Sequence, residues 1–359
     1  MSRISVKTAS RFPSSWMISF LTASLSNAFR CSRMVGGAKN ILSATPDEDG
    51  GIAKALLLQK EDYPHDIACV SFPYTYKTDS SYKILVGAKT TGGEGCALIY
   101  TSPDCVRWEY SHKIVSHTPL GYMWDYPCTF KIGAASFLLL CPKGAVSFPE
   151  SSPHTAAWAQ IGENLIKDCH SLDYGFDFYA PQIFTNTDNE ILMMGTMVLP
   201  DSPYDSLSPC LTIPRRLSLV EGMLYQEPLP ALKELRTEKR TLSLCGGESG
   251  DTFGTVFEMV LTFSEENFAL SLREDVRIEC NEGNFTVTMG KSGLGRTKKS
   301  FYADDFKKIH IFSDRGSLEI FVGGKSFTTR LCDNQKGTVN ILLGSCRAEI
   351  YKLNSIKFQ

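Results

Sequence analysis

From residue 65 onward the sequence changes register every few residues. Short runs rich in β-branched and aromatic side chains are cut by Gly, Pro, Asp or Asn. The runs Tyr82–Ala88, Ala97–Thr101, Ser136–Cys141, Glu190–Met197, Val256–Phe263, Phe268–Arg273, Asn284–Met289, Lys308–Phe312 and Ser317–Val322 each read as a strand. Several alternate apolar and polar residues, as Phe285-Thr-Val-Thr-Met289 does, which buries one face and wets the other. No sustained helical period appears. The best helix candidate is Pro230–Arg236, short, with proline at its first position. A chain of this kind folds as an all-β sandwich, barrel or propeller. No WD or kelch-type repeat occurs, and divergent propeller blades need none. After about residue 243 the alternation is cleaner and predicts a separate β-sandwich.

The chain has 359 residues, enough for two cores, with 43% hydrophobic and 21% charged residues, as in a globular protein. A net charge of −2 supplies no basic field for nucleic acid or an anionic membrane, and no apolar run reaches the eighteen residues or so of a spanning helix. The twelve cysteines show no C-x-x-C spacing and no His at zinc-ligand spacing. Several sit in apolar runs, which reads as small buried hydrophobes in a reducing compartment, hence the cytoplasm. His112, His117 and His170 have no triad or metal context.

Residues 1–46 stand apart. They carry Arg3, Lys7, Arg11, Arg30, Arg33 and Lys39, and the first acidic residue is Asp47. This stretch reads as a leader, either a targeting peptide or a poorly ordered, non-native segment. The expected division is therefore a leader at 1–46, a first β domain at 47–236 and a sandwich at 243–359.

Five segments carry a resemblance to a known family. Val86-Gly-Ala88 leads into Leu98-Ile-Tyr-Thr-Ser-Pro-Asp104 and Trp108-Glu109. Met123-Trp-Asp-Tyr-Pro-Cys-Thr-Phe130 is similar to M-W-E-C-P-D-x-F. Asp173-Tyr-Gly-Phe-Asp-Phe-Tyr-Ala-Pro-Gln182 reproduces D-x-G-x-D-F-Y-A-P-Q. Leu211-Thr-Ile-Pro-Arg-Arg-Leu217 is close to L-T-L-P-R-E-L. Phe312-Ser-Asp-Arg-Gly-Ser-Leu-Glu-Ile-Phe-Val322, with Thr328-Thr-Arg330 after it, resembles the tail motif D-x-S-S-V-E-I-F-V. In this order, over roughly residues 73–359, they resemble glycoside hydrolase family 32, the β-fructofuranosidase, invertase and sucrose-6-phosphate hydrolase group.

The resemblance implies a five-bladed β-propeller, its first blade incomplete here, followed by a β-sandwich. It implies a retaining hydrolysis of sucrose, sucrose 6-phosphate or a fructan, with no cofactor and no metal. That chemistry needs two carboxyl groups about 5–5.5 Å apart, one to attack the anomeric carbon and one to shuttle the proton. In this family a third carboxylate, from R-D-P, braces the furanosyl hydroxyls. The nucleophile motif W-M-N-D-P-N-G does not occur: Trp16-Met17 runs into Ile-Ser-Phe. The R-D-P position falls on Ser71-Phe72-Pro73, so Phe72 replaces its Asp, and Asp66 substitutes only if the chain is locally shifted. Asp125 occupies the acid/base position, one methylene shorter than Glu, and Cys128 replaces the Asp of C-P-D.

The residues expected to bind substrate are Trp124, Asp173, Asp177, Tyr179 and Lys143. Lys143 stands in C-P-K-G where the family has S-P-Q-G, a cation that fits a phosphate or faces solvent. Each has a plainer reading: Asp173 and Asp177 as turn caps, Trp124 and Tyr179 as packing between blades. Glu319 reads as structural. Three functions stay open: a β-fructofuranosidase, a pseudoenzyme or carbohydrate-binding relic, and a truncated or frame-shifted product. The expected partner is a small carbohydrate; oligomeric state is not legible.

Overall fold

The computed structural model describes residues 29–35, 38–46, 52–145, 155–162, 164–184, 190–198, 209–273, 275–332 and 337–354. Nearly every regular element is a strand; three 3₁₀ turns complete the inventory among these residues. Three of the strands expected from sequence, Val256–Phe263, Asn284–Met289 and Ser317–Val322, have the same limits in the structure. The helix expected at Pro230–Arg236 is a 3₁₀ segment, Pro230–Leu235, with proline at its start. Its six residues bury only Leu232, too little apolar surface to hold a longer α-helix.

Residues 1–28 of the expected leader lie outside the described residues. The rest of it is not irregular: Phe29–Val35 and Ala38–Pro46 pair antiparallel, and Ile52–Leu58 adds to the second of them.

The chain packs as two compact units. Of the described residues, one unit holds those up to Leu172 together with those of Tyr179–Ile191; the other holds Asp173–Phe178 and those from Leu192 on. In the first unit the three-stranded meander is followed by two four-stranded meanders. Ile67–Lys77, Tyr82–Thr90, Gly95–Ser102 and Glu109–Ser116 form one; Met123–Ile132, Ala135–Lys143, Ala157–Gly162 and Leu165–Ser171 form the other. They join through a short parallel pairing of Leu165 with Val115 and Ile166 with Ser116. Leu85, Ala97, Ile99 and Ile114 of one meander meet Trp124, Leu138, Leu140 and Ala157 of the other in a dry cluster. Ile41 and Leu58 pack on Val70, Ile84 and Val86 in a second cluster.

Gly87 sets how closely these strands approach. A Cβ there would lie 1.8 Å from the Trp124 carbonyl oxygen, so only glycine lets the strand that carries Asp125 settle onto Tyr82–Thr90.

The second unit contains Ile191–Met197, Arg215–Val220 and Met223–Pro228, paired in that order, and then the predicted sandwich. Its two sheets have six strands each. Phe257, Met259, Leu261, Phe268, Leu270, Ile278, Phe285 and Ile350 fill the space between them. The even spacing of these residues along each strand is the alternation visible in the sequence.

Candidate functional site

Asp125 lies on Met123–Ile132 at a point where the strand is irregular. Its pairing with Ala135–Lys143 slips between Asp125 and Cys128, and Tyr126 sits at φ 49°, in the left-handed region. The strand Ile67–Lys77 slips at the corresponding point, between Val70 and Pro73. Such bulges re-aim side chains and are common beside functional sites. Here they turn Ser71 and Asp125 toward each other.

The Asp125 carboxylate is almost fully buried, at 4% side-chain exposure. Three groups hold it. The Ser71 hydroxyl donates to Oδ1, the Tyr179 hydroxyl donates to Oδ2 at 2.9 Å, and the Lys143 ammonium forms an ion pair with Oδ2 at 2.6 Å. Burial by itself pushes the carboxyl up. The bonds from Lys143 and Ser71, the Lys143 charge and the Tyr179 bond outweigh it, so the group is held below its ordinary value. Tyr179 is pushed up, by burial first and by the neighbouring Cys141 and Asp125, and keeps its proton. Cys141, directly opposite Asp125 in the register, is also raised by burial and stays a neutral thiol.

Around this centre stands an aromatic wall. Phe72 stacks on Tyr126 with ring centres 4.0 Å apart and planes 9° apart, and Tyr126 meets Tyr179 edge-on at 5.4 Å. Phe72 is 37% exposed, so an apolar ring occupies the surface where the R-D-P carboxylate was expected. Asp66 does not take its place. It is half exposed and paired with Lys113, which holds its carboxyl low.

Of the six residues expected at the site, the structure brings together three: Asp125, Lys143 and Tyr179. Trp124 is placed differently. It is wholly buried, donates from Nε1 to the Leu120 carbonyl at 2.8 Å, and its ring lies against Gly95, where a Cβ would meet it at 2.4 Å. Successive residues of a strand face opposite sides, so Asp125 and Trp124 cannot both face a ligand.

Asp173 and Asp177 are both anchored within the second unit. Asp173 accepts from the Gly175 amide at 2.8 Å, the turn-capping bond of the plainer reading. It also accepts from the Thr328 amide at 3.0 Å, the Thr328 hydroxyl at 2.6 Å, the Ser326 hydroxyl at 2.8 Å and Arg215 at 3.1 Å. Five donors leave it nothing for a sugar hydroxyl. Asp177, fully buried, accepts from Arg296, from the Arg330 amide at 2.6 Å and from the Thr329 hydroxyl at 3.0 Å. Burial pushes its carboxyl up, and Arg296 only partly offsets this. Between the two aspartates, Gly175 lies so close to Thr328 that a Cβ would sit 2.0 Å from its carbonyl oxygen. The D-Y-G-F-D stretch is thus a clip on the outer edge of Lys325–Arg330, covering an otherwise open strand.

Sequence reasoning missed two residues. Arg215 is fully buried and ties Asp173, Gln226, Ser326, Glu319 and Thr328 together. Its signal was an arginine inside a matched motif, between Pro214 and Arg216. Glu319 is structural as expected, and burial raises its carboxyl despite Arg215. Ser71 gave no signal, since a lone serine in a strand is ordinary. The histidines are peripheral: His170 stacks on Trp158 at 4.5 Å, and His112 bonds Ser111. Among the described residues, eleven cysteines are free thiols. Among the described residues no helix is long and apolar enough to cross a membrane, and no cluster of His, Cys, Asp and Glu suits a metal ion.

An all-β chain with propeller-type meanders, a C-terminal sandwich and an aspartate held by serine, lysine and tyrosine defines the class: a propeller-and-sandwich protein of glycosidase type. Residues 54–228 match the model of the glycosyl hydrolases family 32 N-terminal domain. The sucrose-6-phosphate hydrolase of Staphylococcus xylosus is 30% identical over 300 residues, covering 74% of this chain and 61% of that protein. The sucrose-6-phosphate hydrolase of Vibrio alginolyticus is 28% identical, covering 87% of this chain and 69% of its own length. The solved structure of the sucrose-6-phosphate hydrolase of Lactobacillus gasseri superposes with a TM-score of 0.80 at 21% identity, over 92% of this chain and 76% of that one. The chain belongs to glycoside hydrolase family 32. It spans about three fifths of the length of the Staphylococcus relative.

Proposed function

We propose that this protein recognises a small fructoside, such as sucrose, sucrose 6-phosphate or a fructan, at the Asp125 site, and does not turn it over at the rate of an intact family member. The observation that carries this is the three-fold hold on Asp125. A retaining glycosidase needs its acid protonated when the glycosidic oxygen leaves. Here the carboxyl is held below its ordinary value, ion-paired and hydrogen-bonded on both oxygens. Phe72 supports the same reading, since a stacked ring cannot brace furanosyl hydroxyls as a carboxylate does. It can pack on a sugar face. The free thiols support a reducing compartment, and we place the protein in the cytoplasm.

The second reading is a working β-fructofuranosidase with a retaining mechanism, favoured by the sucrose-6-phosphate hydrolases it resembles. Calorimetry with sucrose and sucrose 6-phosphate, run beside an assay of released fructose, separates the two. Binding without fructose release is the expected result. Fructose release that disappears in Asp125→Asn would replace the first reading with the second.

A further inference from the structure

The three groups that hold Asp125 differ in kind. Ser71 and Tyr179 are neutral donors. Lys143 alone brings charge, and it brings it from outside: its side chain is 42% exposed while that of Asp125 is 4% exposed. A buried carboxylate with only neutral donors still meets the cost of burial, which favours the protonated form. An ammonium at 2.6 Å opposes that directly, and a charge-assisted bond is roughly twice as strong as a neutral one. No other charged side chain among the described residues lies within bonding distance of Asp125; the facing Cys141 is neutral.

Lys143 is also well anchored at its base. Its carbonyl accepts from the Tyr122 amide at 2.8 Å, and the following residue, Gly144 at φ 72°, lies against the Tyr122 ring. Lys143 pairs with Met123, two residues before Asp125 on the facing strand, so the backbone presents the lysine to Asp125 from a fixed point.

We propose that Lys143 is a positioning residue that locks Asp125 as a bound carboxylate and so withholds it from service as a proton donor. The proposal rests on Asp125 occupying the family's acid/base position. It assigns the loss of acid function to one exposed cation and not to the shortened side chain or to Ser71. Removing the charge should return Asp125 to the behaviour of a buried acid, which titrates high.

The test is a carbon-13 carboxyl titration of the full chain labelled at aspartate, with Asp125 assigned by its loss in Asp125→Asn. In the unaltered protein Asp125 should titrate below the ordinary aspartate range. In Lys143→Gln its midpoint should rise by about one to three pH units, and in Lys143→Arg it should stay low. An unchanged midpoint in Lys143→Gln overturns the lock. So does a midpoint at or above the ordinary range in the unaltered protein, which needs no Lys143 variant to fold. Fructose release by the unaltered protein would refute the proposed function, whereas the lock is judged by the titration alone.

Discussion

Replacing Arg215 by methionine tests whether the second unit is held by a buried charge cluster. Arg215 sets its two terminal nitrogens within hydrogen-bond distance of five acceptors: Asp173, Gln226 and Ser326 around one, Glu319 and Thr328 around the other. Its guanidinium also lies over the Phe178 and Phe321 rings, at 4.7 and 5.1 Å. Methionine fills much of the same space but leaves two carboxylates without their cation. Asp173 and Glu319 have side-chain exposures of 1% and 4%, so water cannot replace it. Breaking a buried pair from one side costs about 3–5 kcal/mol. Against a typical domain stability of about 5–15 kcal/mol that is about a fifth or more of the total. The assay is urea unfolding followed by circular dichroism, with amide exchange of Lys325–Arg330 as the local probe. Tryptophan fluorescence is unsuitable, because Trp108, Trp124 and Trp158 lie in the other unit. Adding Asp173→Asn and Glu319→Gln to Arg215→Met should recover part of the loss, since the cost comes from unpaired charge. A single variant within about 1 kcal/mol of the parent would show that the cluster is not what anchors the clip.

Two further outcomes follow from the geometry. Glu258 is buried, accepts two bonds from Arg236 and meets His310 at 2.6 Å; burial alone would raise its carboxyl, but these partners hold it below its ordinary value of 4.5. The folded state thus binds fewer protons than the unfolded state just below pH 4.5, so this contribution is full above that pH and is lost as pH falls through the lowered value. Thermal melts between pH 3 and 7 should show a steeper acid-side loss in the parent than in Glu258→Gln. Gly87→Ala forces a methyl to within 1.8 Å of the Trp124 carbonyl oxygen and should cost about 3 kcal/mol or more; a urea midpoint by tryptophan fluorescence equal to the parent's would refute the close approach.

Much of this protein was legible in its residues alone. Alternation in Phe285-Thr-Val-Thr-Met289 specified a strand with one buried face, because a period of two leaves the chain no other way to hide its apolar side. The motif order marked the family, and it singled out Asp125, whose carboxylate the structure holds with Ser71, Tyr179 and Lys143. What the residues did not carry was which way each side chain points and what stands across from it. The sequence cannot say that Trp124 turns into the core while Asp125 turns out of it, nor that a slip in two strands lets Ser71 reach Asp125. It cannot say that Asp173 meets a strand more than 150 residues away. Those are long-range pairings, decided only when separate strands choose their register. For that reason the best-matched motif proved to be an internal clip, and the decisive contact at the site, Lys143 on Asp125, became visible only in three dimensions.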